Sequence, residues 1–223
     1  MPEGIRRRGC RLQEMCGDRQ IPASSRHCRL TMRRPDQLNA LRKKAIAELF
    51  WEWCEFAAID EPPPGWCGLK SGEPLQVIGK DASGGRFCTF PAASDFSGRL
   101  LFADSEGRAG VIADSLTDGV RMMIALPTWR DCLQFSGGGK IKEMRRAEEL
   151  SKRHFQKYHP GAEANRAKLS QAFALAPLVA AIDTLHRVVT EGLKVKVVST
   201  IHGTEYEGLF GSFKPNECRS WQE

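Results

Sequence analysis

Residues 75–90 read LQVIGKDASGGRFCTF, and residues 99–113 read RLLFADSEGRAGVIA. In each stretch two short, mostly apolar runs flank a polar, glycine-containing turn. Glycine permits a tight reversal of the chain, so each stretch predicts a β-hairpin. Hairpins pair their strands antiparallel, whereas a doubly wound sheet requires a helix between strands. The predicted strands are Leu75–Gly79, Arg86–Phe90, Arg99–Ala103 and Ala109–Ala113.

Helical patterns lie on both sides of these hairpins. After Asp36, apolar residues recur at steps of three or four, which predicts one amphipathic helix over residues 36–57 with Asp36 as its cap. Ser115-Leu116-Thr117-Asp118 resembles a capping box and starts another helix. Further predicted elements are a helix from Trp129 toward Phe135, helices at Ile141–Tyr158, Ala162–Leu175 and Leu178–Glu191, and a third hairpin from Lys194–Ile201 and Thr204–Phe210.

These elements together predict an α+β fold, with helices packed on a mainly antiparallel sheet of short hairpins and a helical C-terminal extension. A chain of 223 residues is of ordinary size for one such domain. We assign residues 35–213 to this domain and residues 140–213 to its extension. We expect residues 214–223 to be flexible.

The positive charge is concentrated at the start of the chain. Residues 1–34 contain nine arginines and three acidic residues, whereas the remainder carries 24 basic and 24 acidic side chains. The first segment has no apolar periodicity, so we predict a disordered basic tail over residues 1–34. We expect Met32 to be the native start and residues 1–31 to be upstream sequence, with an organelle transit peptide as the alternative. Nucleic-acid binding is expected only through this tail, because the body is neutral.

Cysteine spacing and apolar run length bear on the cellular compartment. The eight cysteines form no C-x-x-C pair, so we expect no metal site and reduced thiols. No secretory signal pattern follows the first arginines. The longest apolar run, Ala172–Ile182, is interrupted by Pro177 and is shorter than the roughly 20 residues that span a bilayer. We therefore expect a cytoplasmic protein with no membrane association.

No catalytic signature is present in the sequence. G-x-S-x-G and H-E-x-x-H are absent, and we expect no catalytic residue and no cofactor. The turn Ser136-Gly137-Gly138-Gly139-Lys140 precedes a helix, which leaves a phosphate- or nucleotide-handling enzyme as the alternative function. A Walker A loop follows a strand and has Ser or Thr after its lysine, whereas Ile141 stands here. A turn between helices explains the glycines without a ligand.

The two hairpin turns and a Trp-Arg pair are the candidate partner-binding elements. Acidic turn residues can steer a basic partner, and exposed Trp and Arg side chains often anchor protein interfaces. Solvated turns and packing at the edge of the core are the alternative interpretation. Trp51 and Trp66 are weaker candidates of the same kind. The candidate partner-binding residues are Asp81, Gly84, Gly85, Asp104, Glu106, Trp129 and Arg130.

The central segments IGKDASGGRF (78–87), GRLLFADSEG (98–107) and VIADSL (111–116) resemble the SUKH superfamily. That superfamily includes bacterial immunity proteins of polymorphic toxin systems and yeast regulators of cell-wall synthesis. The resemblance covers residues 36–135 and has no counterpart for residues 140–210. It implies an α+β scaffold that binds another protein, such as a toxin domain, and it carries over no catalytic residue. The prolines at 62–64 depart from the pattern.

Overall fold

The computed structural model describes residues 34–92 and 98–221, all of which fall within one compact unit of the chain. The predicted basic tail lies outside these residues except for Arg34. The strands are β1 (Ala57–Ala58), β2 (Cys67–Leu69), β3 (Gln76–Lys80), β4 (Arg86–Phe90), β5 (Arg99–Ala103), β6 (Ala109–Ala113) and β7 (Val197–Ser199). The helices are α1 (Arg34–Leu41), α2 (Lys44–Cys54), α3 (Leu116–Ala125), α4 (Trp129–Gln134), α5 (Ile141–Tyr158), α6 (Ala162–Ala172) and α7 (Ala181–Gly192).

The main sheet confirms the predicted α+β class. Its five strands are all antiparallel and run in the order β1-β3-β4-β5-β6. The sequence predicts β4, β5 and β6 with the observed boundaries and places β3 one residue too early. It does not predict β1, which consists of two residues that pair with the end of β3.

The third predicted hairpin is present in a shortened form. Its arms are joined by an antiparallel bridge between Val198 and Glu205 and by hydrogen bonds from the amides of Ser199 and Tyr206 to the carbonyls of Thr204 and Val197, at 2.8 and 2.9 Å. The sequence does not predict that β7 also pairs with β2, with Leu69 opposite Val197. Val197 packs with Cys67 and Leu69 in a buried cluster, whereas residues 201–205 are exposed. β7 therefore has two partners, the exposed local arm and the long-range strand β2, against which its apolar side chains are buried.

The predicted helix over residues 36–57 is two helices. α1 begins at Arg34, so Asp36 lies inside its first turn rather than before it. The chain breaks at Lys43, whose backbone is extended with ψ 122°. Because of this break, α1 and α2 both bury apolar residues in one core, including Leu41 and Phe50.

Both faces of the main sheet are buried. Neighbouring side chains of β4 and β5 alternate between two apolar clusters, as the two-residue period of a strand requires. Phe87 and Phe102 face the larger cluster, which the helices cover. Cys88 and Leu101 face the smaller cluster, which includes residues of β2 and β7.

The C-terminal elements complete the fold. Helix α5 has the predicted boundaries, and it buries Met144, Ala147 and Ser151 while its other faces are largely charged. Two short 3-10 helices, Pro215–Glu217 and Arg219–Trp221, lie against α5. The flexibility of residues 214–223 stays a prediction. Among the described helices none is both long and apolar enough to cross a membrane.

Candidate functional site

The two hairpin turns are built on the same hydrogen-bond scheme. Asp81 Oδ1 accepts hydrogen bonds from the amides two and four residues later, at 3.0 and 2.7 Å. Asp104 Oδ1 does the same at 3.0 and 2.8 Å. In each turn the fourth residue is a glycine with positive φ, 92° at Gly84 and 94° at Gly107. Both carboxylates are buried, so they fix the turns from within.

The two turns lie side by side at one end of the sheet. β3–β4 and β5–β6 are successive hairpins, so their turns emerge at the same end. Ser105 Oγ donates a hydrogen bond to the backbone carbonyl of Ser83 at 3.0 Å and joins the first turn to the second. Two segments that are separate in the sequence thereby form one surface.

This surface forms one wall of a cleft of about 310 Å³, which we call the hairpin-turn cleft. Helix α4 and the residue that follows α2 form the opposite wall. The lining residues are Glu55, Asp81, Ser83, Phe102, Asp104, Glu106, Arg108, Trp129, Arg130, Asp131, Leu133, Gln134 and Leu209.

Five of the seven candidate partner-binding residues are in this lining: Asp81, Asp104, Glu106, Trp129 and Arg130. The other two, Gly84 and Gly85, belong to the first turn and do not line the cleft. The structure thus brings together residues that the sequence places in three separate segments. Their binding of a partner stays a prediction.

Arg130 connects the two walls. Its Nη1 atom donates to Glu55 Oε2 at 2.8 Å and lies 3.7 Å from Asp81 Oδ2. The guanidinium carbon lies 5.4 Å from the centre of the Phe102 ring and 5.2 Å from that of Trp129, within cation–π distance. These contacts hold the cation in one place between a carboxylate of the turn and a carboxylate of the opposite wall.

Trp129 does not fit the exposed-anchor interpretation. Its side chain is 1% exposed and packs edge-to-face against Phe102 and Phe87. The indole N–H has no hydrogen-bond acceptor among the described residues. Trp129 therefore belongs to the core beneath the cleft and supports Arg130 from below.

Arg108 holds the second turn against α4. Its Nε atom donates to Asp104 Oδ2 at 3.0 Å, and Nη2 donates to Glu106 Oε2 at 3.3 Å. Nη1 donates to the side-chain carbonyl of Gln134 in α4. Arg108 therefore joins the second turn to helix α4, which belongs to the opposite wall of the cleft.

The cleft lining has an excess of negative charge. It contains five carboxylates and two guanidinium groups. Asp131 has no hydrogen bond or ion pair to its carboxylate from any described residue. Desolvation raises the pKa of Asp131, and the positive charge of Arg130 opposes this shift. The residue is nevertheless exposed to solvent. Since residues 35–223 are neutral as a whole, the cleft is a local acidic site on a neutral body.

The sequence does not predict the polar lining residues Glu55, Asp131 and Gln134. Glu55 ends α2 in a left-handed conformation with φ 54°, and no local pattern connects it to a hairpin more than 25 residues later. Asp131 and Gln134 do have a local signal, because they follow Trp129-Arg130 on the same short helix.

The alternative site, the glycine-rich turn at 136–140, is a closed turn between α4 and α5. Its glycines at 137, 138 and 139 have φ of 60°, 80° and 82°, which explains the residue type. The amides of residues 137–140 donate to the oxygens of Phe213, Gly211 and Ser136 at 2.8–3.0 Å. His186 Nε2 lies 2.9 Å from the Gly139 carbonyl. The amides are thus engaged by the chain itself, whereas a phosphate cradle leaves them free for the ligand.

The thiols of the described chain are mostly buried. Burial raises the pKa of Cys67 to about 11 and the pKa of Cys88 and Cys132 to about 12. A thiol with so high a pKa is a poor nucleophile near neutral pH. No group of three His, Cys, Asp or Glu side chains in residues 34–92 and 98–221 is placed to hold a metal ion.

The two weaker tryptophan candidates differ in exposure. Trp51 is 39% exposed, as its position two residues before the buried Trp53 predicts. Trp66 is partly buried and lies with its ring 6.2 Å from that of Tyr206. Neither residue lines the hairpin-turn cleft.

Comparisons with known proteins found no matching family model, no similar curated protein and no similar solved structure.

Proposed function

We propose that this protein is a non-enzymatic protein-binding module that docks its partner at the hairpin-turn cleft. The observation that carries the proposal is the convergence of both turns and α4 on one cleft. The two walls are joined by the Arg130–Asp81 ion pair and by the hydrogen bond from Arg108 to Gln134, and the two turns are joined by the hydrogen bond from Ser105 to Ser83. A surface that is already organised loses little conformational entropy on binding.

The chemistry of the cleft supports binding over catalysis. Asp81 and Asp104 are the buried carboxylates of the lining, and both are occupied by the amides of their own turns. A general base needs a carboxylate that is free to accept a substrate proton, and among the lining carboxylates this leaves only the exposed Asp131. Arg130 and Arg108 are likewise held by carboxylates of the chain.

The SUKH-like pattern in the sequence supports a specific role for this binding module. The three segments that resemble the superfamily contain both turns of the cleft. We propose a cytoplasmic SUKH-like protein that acts as an immunity protein and occludes a toxin domain. The partner is then a protein, without membrane or cofactor, and nucleic acid enters only through the basic tail.

Co-expression with the product of each adjacent gene tests this function. The protein is purified at moderate salt, and complex formation is measured by size-exclusion chromatography with mass detection. We expect a stable one-to-one complex with one neighbour. Failure to form a complex with any neighbouring product would contradict the immunity function.

Two charge reversals test the site of docking. Glu106 lines the cleft with 77% of its side chain exposed, whereas Glu73 is exposed in a loop and does not line the cleft. We expect Glu106→Lys to weaken the complex and Glu73→Lys to leave it unchanged. Equal effects of the two substitutions would place docking elsewhere on the protein.

A further inference from the structure

The charges of the hairpin-turn cleft are incompletely balanced within the chain. Arg130 is paired with Glu55 and lies near Asp81, and Arg108 is paired with Asp104 and Glu106. Each guanidinium is thus shared between two carboxylates. A fifth carboxylate, that of Asp131, has no ion pair within the described residues.

A second, independent feature of the cleft is an unused hydrogen-bond donor. Trp129 lines the cleft with its side chain 1% exposed, and its indole N–H has no acceptor in the described chain. The neighbouring Arg130 Nε is also buried without an acceptor. Buried donors are nearly always paired, so these two point to an acceptor that the free chain does not supply.

A basic residue of a polypeptide supplies both missing groups. Its side chain carries a positive charge for the excess carboxylates, and its backbone carbonyl is a hydrogen-bond acceptor. A bare metal cation supplies no acceptor, and an acidic segment would be repelled by the lining. The cleft volume of about 310 Å³ is at the lower end of ligand-binding pockets, which suits one side chain and its backbone.

On this basis, and resting on the proposed function, we infer that the partner inserts an arginine or lysine side chain into the hairpin-turn cleft. Its charge lies against Asp131, which has no ion pair within the described residues, and against the exposed Glu106, which it shares with Arg108. Its backbone carbonyl lies on the side of Trp129 and Arg130.

Nuclear magnetic resonance with blocked tripeptides tests this inference on the full chain. The probes are acetyl-Gly-Arg-Gly-amide and acetyl-Gly-Lys-Gly-amide, with Gln and Glu at the central position as controls. The readouts are the indole N–H signal of Trp129, assigned through Trp129→Phe, and the amides of residues 104–108 and 129–134. We expect the basic peptides at millimolar concentration to shift these signals, and added salt to reduce the effect.

Neutralising variants identify the carboxylates involved. Asp131→Asn and Glu106→Gln should each weaken binding of the arginine peptide by about two- to fivefold, as expected for exposed charge pairs. Glu73→Gln, outside the cleft, should leave the affinity unchanged. Both cleft variants keep Asp81 and Asp104, so the turns keep the hydrogen bonds between these aspartates and the turn amides.

Three results would overturn the inference: equal shifts with the arginine and glutamine peptides, shifts confined to surfaces outside the cleft, or no shifts at all. Its failure is distinguishable from failure of the proposed function. If the co-expressed complex is unaffected by Asp131→Asn and Glu106→Gln, the proposed function stands and the inserted basic side chain is contradicted. If the arginine peptide binds but no protein complex forms, the basic site stands and the proposed function is contradicted.

Discussion

The hydroxyl of Ser105 donates a hydrogen bond to the backbone carbonyl of Ser83 at 3.0 Å. The bond joins two turns that repeat one internal design, an aspartate that accepts from amides two and four residues later. The wall of the cleft is therefore a pair of coupled turns rather than two independent loops.

The glycines at the fourth position of the turns are required by backbone conformation alone. Gly84 and Gly107 have φ above 90°, and a Cβ at either position would meet no atom within 4 Å. We expect Gly84→Ala and Gly107→Ala each to lower the free energy of unfolding by about 1–2 kcal/mol, from strain without any clash. Urea denaturation measures the change.

Gly65 is the matched control for this pair. A Cβ there also meets open space, but its φ is not positive. Gly65→Ala should be neutral or slightly stabilising. A loss at Gly65 as large as at Gly84 would show that the cost does not come from positive φ.

Arg130 should be irreplaceable by lysine. Its planar guanidinium bonds Glu55 and stacks near two aromatic rings, a combination that an ammonium group does not reproduce. We expect Arg130→Lys and Arg130→Ala each to cost about 1–2 kcal/mol of unfolding free energy. Arg153→Ala, which removes an exposed pair on α5, should change it by less than about 0.5 kcal/mol. A neutral Arg130→Lys would argue against the stacked geometry.

Trp53 and Trp51 form a natural comparison within one helix. The indole N–H of Trp53 donates to the carbonyls of Met123 and Ile124 at 3.2 Å each, which ties α2 to the end of α3. Trp53→Phe removes this link and should cost about 1–3 kcal/mol. Trp51→Phe, at an exposed position, should cost less than about 0.5 kcal/mol. Calorimetry measures both changes, and similar losses of unfolding free energy for Trp53→Phe and Trp51→Phe would contradict the assignment of Trp53 to the core.

Buried thiols should make the fold sensitive to alkaline pH. The pKa of Cys88 and Cys132 is raised to about 12 by burial, whereas an unfolded thiol titrates near 8.5. Above about pH 8.5 the unfolded chain releases protons that the folded chain keeps, so the unfolding free energy falls as pH rises toward 12. The limiting slope is about 1.4 kcal/mol per pH unit for each thiol.

Urea denaturation at several alkaline pH values measures this slope in the full chain and in two variants. Cys132→Ala should make the decline shallower, because one titrating thiol is removed. Cys218→Ala, at a partly exposed position, should leave the slope as it is. Parallel curves for the full chain and Cys132→Ala would contradict the prediction.

The strands of the main sheet could be predicted because their signals are local. The boundaries of β4, β5 and β6 follow from turns whose aspartate and glycine lie within five residues of one another. The cap at Ser115 is also local, and its Oγ accepts from the Asp118 amide as predicted. In these segments sequence neighbours decide the structure.

The remaining features depend on long-range packing. β2 and β7 pair across about 130 residues, and the local pattern that predicts the pairing of β7 with the segment after His202 contains no signal for β2. The break at Lys43 interrupts a continuous helical pattern so that two helices can reach one core. The same limit applies to the cleft, where the acidic turns were predictable but the approach of Glu55 was not.

Hydrogen–deuterium exchange of the full chain, alone and with its co-expressed partner, tests the central claim most directly. Docking at the hairpin-turn cleft predicts slower exchange in residues 81–86, 104–108 and 129–134, and unchanged exchange in the glycine-rich turn at 136–140 and along α5. Protection confined to that turn or to α5, with the two hairpin turns unchanged, would contradict it.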